Sequence, residues 1–178
     1  VIKKQGISHA SNIGAKNAKG EIFTFMDADS QMANDLIEKV YLATLEGYSG
    51  GKVKIRPLDD KRFRATIHCV FFELLARATK PIPNLDSGTG AFIFTEKKLF
   101  KTIKKFYGKG FNEDLQVMVD IDFIKKVKKH GKYKFITDSY LYTSMRRFKE
   151  EGYVKCFFED AFHAFDPKGK TRDRWKNK

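Results

Sequence analysis

Short apolar segments with strand character alternate with longer helical segments, and this alternation constrains the fold more than any other feature. Five segments are predicted as strands from their apolar, β-branched and aromatic residues: 21–26, 50–55, 91–94, 134–137 and 140–143. Six are predicted as helices from helix formers and apolar spacing: 8–19, 34–46, 65–79, 96–106, 120–130 and 153–165. Such alternation predicts an α/β domain with a mostly parallel sheet flanked by helices.

The length of the chain fits one domain. Its 178 residues, 42% of them hydrophobic, are enough for one hydrophobic core, and no repeat or linker divides them. We therefore predict a single domain over residues 1–165 and a basic tail over 166–178. No apolar run approaches the roughly 20 residues that span a bilayer.

The charge balance is strongly basic, with 35 Lys and Arg against 22 Asp and Glu, a formal net charge of +13. Such a charge favours polyanionic partners, which include nucleic acids, anionic lipid headgroups and diphosphates. Much of the excess is Lys on helices, and the pairs at 125–126 and 128–129 are predicted to be solvated surface. A basic nucleic-acid-binding domain remains an alternative on charge alone. The aromatic residues lie mostly at core-like spacings, so no nucleic-acid partner is expected.

The two cysteines, Cys69 and Cys156, lie far apart within apolar helical patterns. We predict buried free thiols in a reducing compartment, with a disulfide or a metal site as the alternatives. The N-terminal residues lack the features of a signal peptide. Together these observations predict a cytoplasmic protein.

The acidic triplet Asp27-Ala28-Asp29 directly follows the predicted strand 21–26. Ligands of open α/β sheets bind beyond the carboxyl ends of strands, where this triplet is expected to lie. Two carboxylates one residue apart offer hard oxygen ligands for Mn²⁺ or Mg²⁺. The alternative is an ordinary turn or helix cap, because Asp is common in both.

Four segments in order resemble glycosyltransferase family 2, which has the GT-A fold. The first runs from Asn12-Ile13-Gly14 through Ala18-Lys19-Gly20 and an apolar strand to Asp27-Ala28-Asp29. The second is Gly88-Thr89-Gly90 and the strand after it. The third is Gly110-Phe111-Asn112-Glu113 followed by Asp120-Ile121-Asp122. The fourth, 144–153, is similar to the tail of membrane-associated members.

The resemblance implies a role for each matched residue. Asp29 and Asp27 would hold Mn²⁺ or Mg²⁺ and, through it, the diphosphate of the donor. Asp120 would be the general base that takes a proton from the acceptor hydroxyl. The residues expected to bind donor or acceptor are Asn12, Asp27, Ala28, Gly88, Gly90, Arg146 and Arg147.

Each of these roles has a structural alternative. Asp120 near a helix N-terminus also complements the helix dipole. Gly88 and Gly90 fit a tight turn, and Arg146 and Arg147 fit a solvated pair. The family places an acidic residue where this chain has Val119.

The resemblance also predicts an N-terminally incomplete GT-A domain, because the chain starts after the family's usual first two strands. The function it implies is metal-dependent, inverting transfer of a hexosyl group from a nucleotide-sugar donor. The expected acceptor is a glycan, a polyprenyl phosphate or a glycolipid, with peripheral contact at the inner membrane surface. The alternative is an inactive, truncated relative that serves as a binding module.

Overall fold

The computed structural model describes residues 6–82, 86, 90–115 and 118–165. Helices there are α1 (Ile7–Asn17), α2 (Leu36–Leu45), α3 (Phe63–Thr79), α4 (Lys97–Tyr107), α5 (Val119–His130), α6 (Arg146–Glu151) and α7 (Tyr153–Phe165). The strands are β1 (Ile22–Met26), β2 (Ser30–Met32), β3 (Gly50–Pro57), β4 (Phe92–Glu96) and β5 (Tyr133–Thr143). The predicted α/β class is therefore confirmed.

The five strands form one sheet in the order β1-β4-β3-β5-β2. Only β3 and β5 pair in parallel among these strands, whereas β4 is antiparallel to β1 and β3, and β2 is antiparallel to β5. The prediction of a mostly parallel sheet is wrong. Helix α3 lies between β3 and β4 in the sequence, yet the chain returns to the sheet end that it left, so β4 runs back along β3.

Two hydrophobic clusters cover the two faces of the sheet, because successive side chains of a strand point to opposite faces. Phe92 and Phe94 of β4 pack with α2 and α3 in one cluster. Ile93 packs in the other with α1, α4 and α5. The central strands are consequently buried on both sides, with helices as the two outer layers.

Strand β5 is one continuous strand where two had been predicted. Its pairing with β3 shifts between Val53 and Lys54, whose partners are Ile136 and Tyr140. The extra residues form an irregularity, where the Ser139 hydroxyl donates a hydrogen bond to Asp35 at 2.7 Å. Such irregularities bend a strand and increase its twist.

Both cysteines are buried thiols, as predicted. Cys69 lies on α3 in the cluster with α2, and burial raises the pKa of its thiol to about 11. Cys156 lies on α7. None of the helices in the described ranges has both the length and the apolar character that crossing a bilayer requires.

Candidate active site

The acidic triplet connects two strands at opposite edges of the sheet. β1 ends at Met26 and β2 begins at Ser30, yet β4, β3 and β5 lie between them. Four strand spacings amount to about 19 Å in a flat sheet, whereas four Cα steps reach at most about 15 Å. The sheet must therefore bend, and the triplet must cross the ends of the intervening strands. Its backbone is attached there by a 3.1 Å hydrogen bond from the Asp27 amide to the Ala91 carbonyl.

Asp27 lies within electrostatic reach of two other carboxylates, those of Asp120 and Asp29. Part of the residue is open to solvent, while the protein atoms around its carboxyl desolvate it. This desolvation raises the pKa of Asp27 to about 6, with further contributions from the negative charges of Asp120 and Asp29. A group in this setting gains from any cation that approaches.

Asp29 is also exposed, with 54% of its side chain open to solvent. Its counter-charge is the guanidinium of Arg146, 3.9 Å away and itself 66% exposed. An exposed pair at that distance contributes little to stability. Asp29 and Arg146 are therefore both accessible to a ligand at this edge of the sheet, and Ala28 between the two acids is exposed as well.

Asp120 lies in the first turn of α5, and the backbone of Gly90 packs directly against its side chain. A Cβ atom added to Gly90 would overlap Asp120, so only glycine fits there. Burial raises the pKa of Asp120, and the nearby ammonium group of Lys52 opposes this rise. Because Asp120 also acts on the pKa of Asp27, the structure brings together Asp27, Asp29, Gly90 and Asp120 of the predicted site.

A buried charge cluster, formed by Lys52, Asp86 and Lys128, lies behind Asp120. The Asp86 carboxylate is 2.5 Å from the Lys52 ammonium and 3.0 Å from that of Lys128, and at most 3% of each side chain is exposed. Lys52 was predicted only as part of the strand 50–55. The prediction that Lys128 lies on the solvated surface is wrong. Lys126 is also buried, and its ammonium lies 2.7 Å from Asp122. Lys128 and Lys126 of α5 therefore point inwards, where the buried Asp86 and the partly exposed Asp122 provide their counter-charges.

Asn12 supports a loop in the described structure. Its side-chain nitrogen donates to the Phe111 carbonyl at 2.9 Å and to Glu113 at 3.0 Å. Its side-chain oxygen accepts a 2.9 Å hydrogen bond from the Phe111 amide. His9 of α1 also approaches Glu113, at 3.3 Å. Asn12 thereby fixes the segment that leads towards α5 and Asp120.

The two predicted phosphate-binding arginines diverge. Arg146 lies beside Asp29, whereas Arg147 points towards α7, where its guanidinium is 3.3 Å from Glu159. Gly88 falls outside the described residues. Over the described ranges, no group of three or more His, Cys, Asp and Glu side chains converges as a metal site.

Comparisons with known proteins bear on this arrangement. A family model described as glycosyl transferase family 2 matches residues 2–103. Among solved structures, the chain is similar to the crystal structure of mannosyl-3-phosphoglycerate synthase from Rubrobacter xylanophilus, with 15% identity and a TM-score of 0.45. The similarity covers 95% of this chain and 54% of the other, so this chain spans about half of that structure's length. No curated protein matches the chain.

Proposed function

The chain belongs to glycosyl transferase family 2, whose model matches more than half of its residues, and we propose that it transfers a sugar from a nucleotide-sugar donor to an acceptor. The transfer inverts the anomeric configuration and depends on a divalent cation. The acceptor presents a hydroxyl or phosphate group on a glycan, a polyprenyl phosphate or a glycolipid, at the inner surface of a membrane.

The observation that carries this proposal is that Asp27 lies within electrostatic reach of two other carboxylates, Asp29 and Asp120. Mutual repulsion and desolvation make the site costly without a cation, and its oxygen ligands suit Mn²⁺ or Mg²⁺. The residues present fit such an ion, which Asp27 and Asp29 would hold. Two carboxylates are enough where substrate phosphates and water complete the coordination. When bound, the ion supplies positive charge that offsets the charge developing on the leaving diphosphate.

Asp120 is the general base of the proposed reaction. Its raised pKa makes the carboxylate more basic than an ordinary aspartate, which favours proton transfer from an acceptor hydroxyl. Gly90 leaves the carboxylate no room to move towards the sheet. The Lys52 ammonium favours the ionised form of Asp120 and so opposes part of the rise in pKa that burial causes.

Arg146 contributes the phosphate-binding group of the proposed site. Its guanidinium is exposed beside Asp29, and arginine binds phosphate oxygens through paired hydrogen bonds. Arg147 is proposed to act on the same substrates, after release from its contact with Glu159. Asn12, Ala28 and Gly88 complete the proposed donor and acceptor contacts; Asn12 acts through the loop that it holds.

The test is to incubate the purified protein with Mn²⁺ or Mg²⁺ and a panel of nucleotide-sugars, and to follow nucleotide release with and without acceptors. We expect release from at least one donor, lost on chelation and in the Asp29→Ala variant. A Glu21→Ala variant is the matched control, because Glu21 is an exposed acid at the other end of β1. Full activity of Asp29→Ala would refute the metal role, and no release from any donor would refute the transferase.

A further inference from the structure

The outer face of α3 exposes a continuous apolar stripe. Its side chains, between 36% and 79% exposed, recur every three or four residues: Phe63, Ile67, Val70, Phe71 and Leu74. Phe71 contacts Phe157 of α7, with ring centroids 5.1 Å apart, and Phe157 contacts Phe158 at 5.7 Å. Val154 and Phe158 of α7 are themselves exposed. We call this surface the α3–α7 face.

Charges along α3 are mostly positive. Residues 61–80 contain five cationic side chains and one acidic one: Lys61, Arg62, Arg64, Arg77, Lys80 and Glu73. The cationic residues are all exposed, and one of them, Arg62, is paired at 2.5 Å with Asp60, which directly precedes this segment. Glu73 is only 12% exposed and lies 2.7 Å from Arg77 and 3.2 Å from Arg56, so its charge is compensated. A partner of this face must therefore tolerate apolar contact and carry negative charge.

Helix α2 shows what an apolar stripe looks like without this charge. Its exposed apolar residues are Ile37, Tyr41, Leu42 and Leu45. Residues 35–46 carry three acids, Asp35, Glu38 and Glu46, against the single cation Lys39. Helices α2 and α3 thus present apolar faces of similar exposure and opposite charge, and of these two the face of α3 suits an anionic partner.

We propose that the α3–α7 face docks on an anionic phospholipid surface, with α3 lying parallel to it. A 17-residue helix is about 25 Å long, and a helix with one apolar face between basic residues inserts that face at the headgroup boundary. A second copy of the chain is disfavoured, because pairing two such faces would bring their positive charges together.

The face continues to the candidate active site. The Tyr153 hydroxyl donates to Asp60 just before α3 at 2.9 Å, and Asp59 accepts a 2.7 Å hydrogen bond from the Met145 amide. The next residue, Arg146, lies beside Asp29. Docking would place Arg146 near lipid headgroups. Docking itself does not depend on sugar transfer. Only the further step, that the acceptor is linked to a lipid, rests on the proposed function.

The experiment is co-sedimentation of the full chain with phosphatidylcholine vesicles, with and without phosphatidylglycerol, at low and high salt. We expect binding that needs phosphatidylglycerol and weakens with salt. Phe63→Ser and Leu74→Ser should each lower the partition coefficient about tenfold, from the apolar area withdrawn from the membrane. Leu45→Ser, the same change on α2 at similar exposure, should leave binding unchanged. Arg64→Gln should weaken binding only to the anionic vesicles.

Several results would overturn the docking proposal. They are absence of binding to phosphatidylglycerol vesicles, equal losses in Leu45→Ser and Leu74→Ser, and binding that ignores lipid charge. A concentration-dependent dimer that Leu74→Ser dissociates, without vesicle binding, would assign the face to a second copy, and capture of a protein without vesicle binding would assign it to that partner. Vesicle binding uses no donor, so a protein that binds vesicles but transfers no sugar would refute only the transferase.

Discussion

Asp27 and Asp86 both lie within electrostatic reach of Asp120, yet their surroundings are opposite. Asp86 is buried between the ammonium groups of Lys52 and Lys128. Asp27 is partly open, and the described charges that shift its pKa are two more carboxylates. A carboxylate with buried counter-charges contributes to the fold, whereas one left among like charges costs stability until a ligand arrives. The difference separates the supporting part of the site from the part available for chemistry.

The sharpest test of this difference is Asp120→Asn, the substitution at the residue that both regions influence. If Asp120 is the general base, its amide analogue should lower kcat about 10³-fold, because proton transfer contributes about 10²–10⁴ to rates. The melting temperature should change little, since asparagine keeps the shape that Gly90 contacts. Donor turnover and thermal unfolding are measured on the same sample. A variant that unfolds, or that keeps wild-type kcat, contradicts the assignment.

The buried charge cluster should respond in stability. Lys52→Met leaves Asp86 with one cation instead of two, and we expect a loss of about 3 kcal/mol in the free energy of unfolding. Lys134→Met removes a lysine from a more exposed pair with Glu46 at 2.9 Å, and should cost less than about 1 kcal/mol. Urea unfolding measures both. Similar losses in the two variants would show that burial of the cluster adds nothing to the free energy of unfolding.

Divalent cation should act on the open carboxylates alone. Mn²⁺ at about 100 times its Kd adds about 2.7 kcal/mol to the stability of a folded state that binds it, which corresponds to a rise of several degrees in Tm. The rise should be larger at pH 7.5 than at pH 5, because a carboxyl with a pKa of about 6 is mostly protonated at pH 5. Asp27→Asn should abolish it, and Asp114→Asn, which changes an exposed acid outside the site, should not.

The smallest expected effect is that of Asp27→Asn on Tm in the absence of divalent cations. The folded-state pKa of Asp27 lies above the ordinary value of 3.8, so the folded protein binds more protons than the unfolded chain between pH 3.8 and about 6. The contribution of Asp27 to stability is greatest below this window and is lost as pH rises through it. Asp27→Asn should therefore raise Tm slightly at pH 7.5 in chelator and leave it unchanged at pH 3.5. A lower Tm at pH 7.5 would contradict the proposed repulsion.

Local sequence patterns were enough for the longer helices but not for the sheet. The spacing of apolar residues predicted α3 and α5 to within two residues of their ends, since both bury one side on the sheet. The three residues of β2 are mostly polar, and they form a strand only because β5 pairs with them. Helix α6 has six residues without a buried stripe, so it was also missed. The first predicted helix, 8–19, was placed slightly too late in the sequence, because α1 spans Ile7–Asn17.

The family was predictable because its motifs are local, and the match over residues 2–103 confirms it. The same motifs named Asp27 and Asp120 as site residues, and the structure brings the two within electrostatic reach of each other. The ion pairs of Lys52 and Lys128 with Asp86 could not be predicted, because Asp86 is distant in sequence from both lysines. In addition, a lysine that alternates with apolar residues in a strand, as Lys52 does, resembles a surface residue. These charges are buried together because folding brings β3, the segment with Asp86 and α5 into contact.

The crossing of the acidic triplet from one edge of the sheet to the other has a consequence for synthesis. β1 needs β4 as its partner, and β2 needs the end of β5, so the strands on either side of Asp27-Ala28-Asp29 wait for residues up to Thr143. Until Thr143 has emerged from the ribosome, β2 has no partner strand, and the acidic triplet lies next to an unpaired segment. The acidic site therefore takes shape only after Thr143 has emerged from the ribosome and β2 can pair with β5.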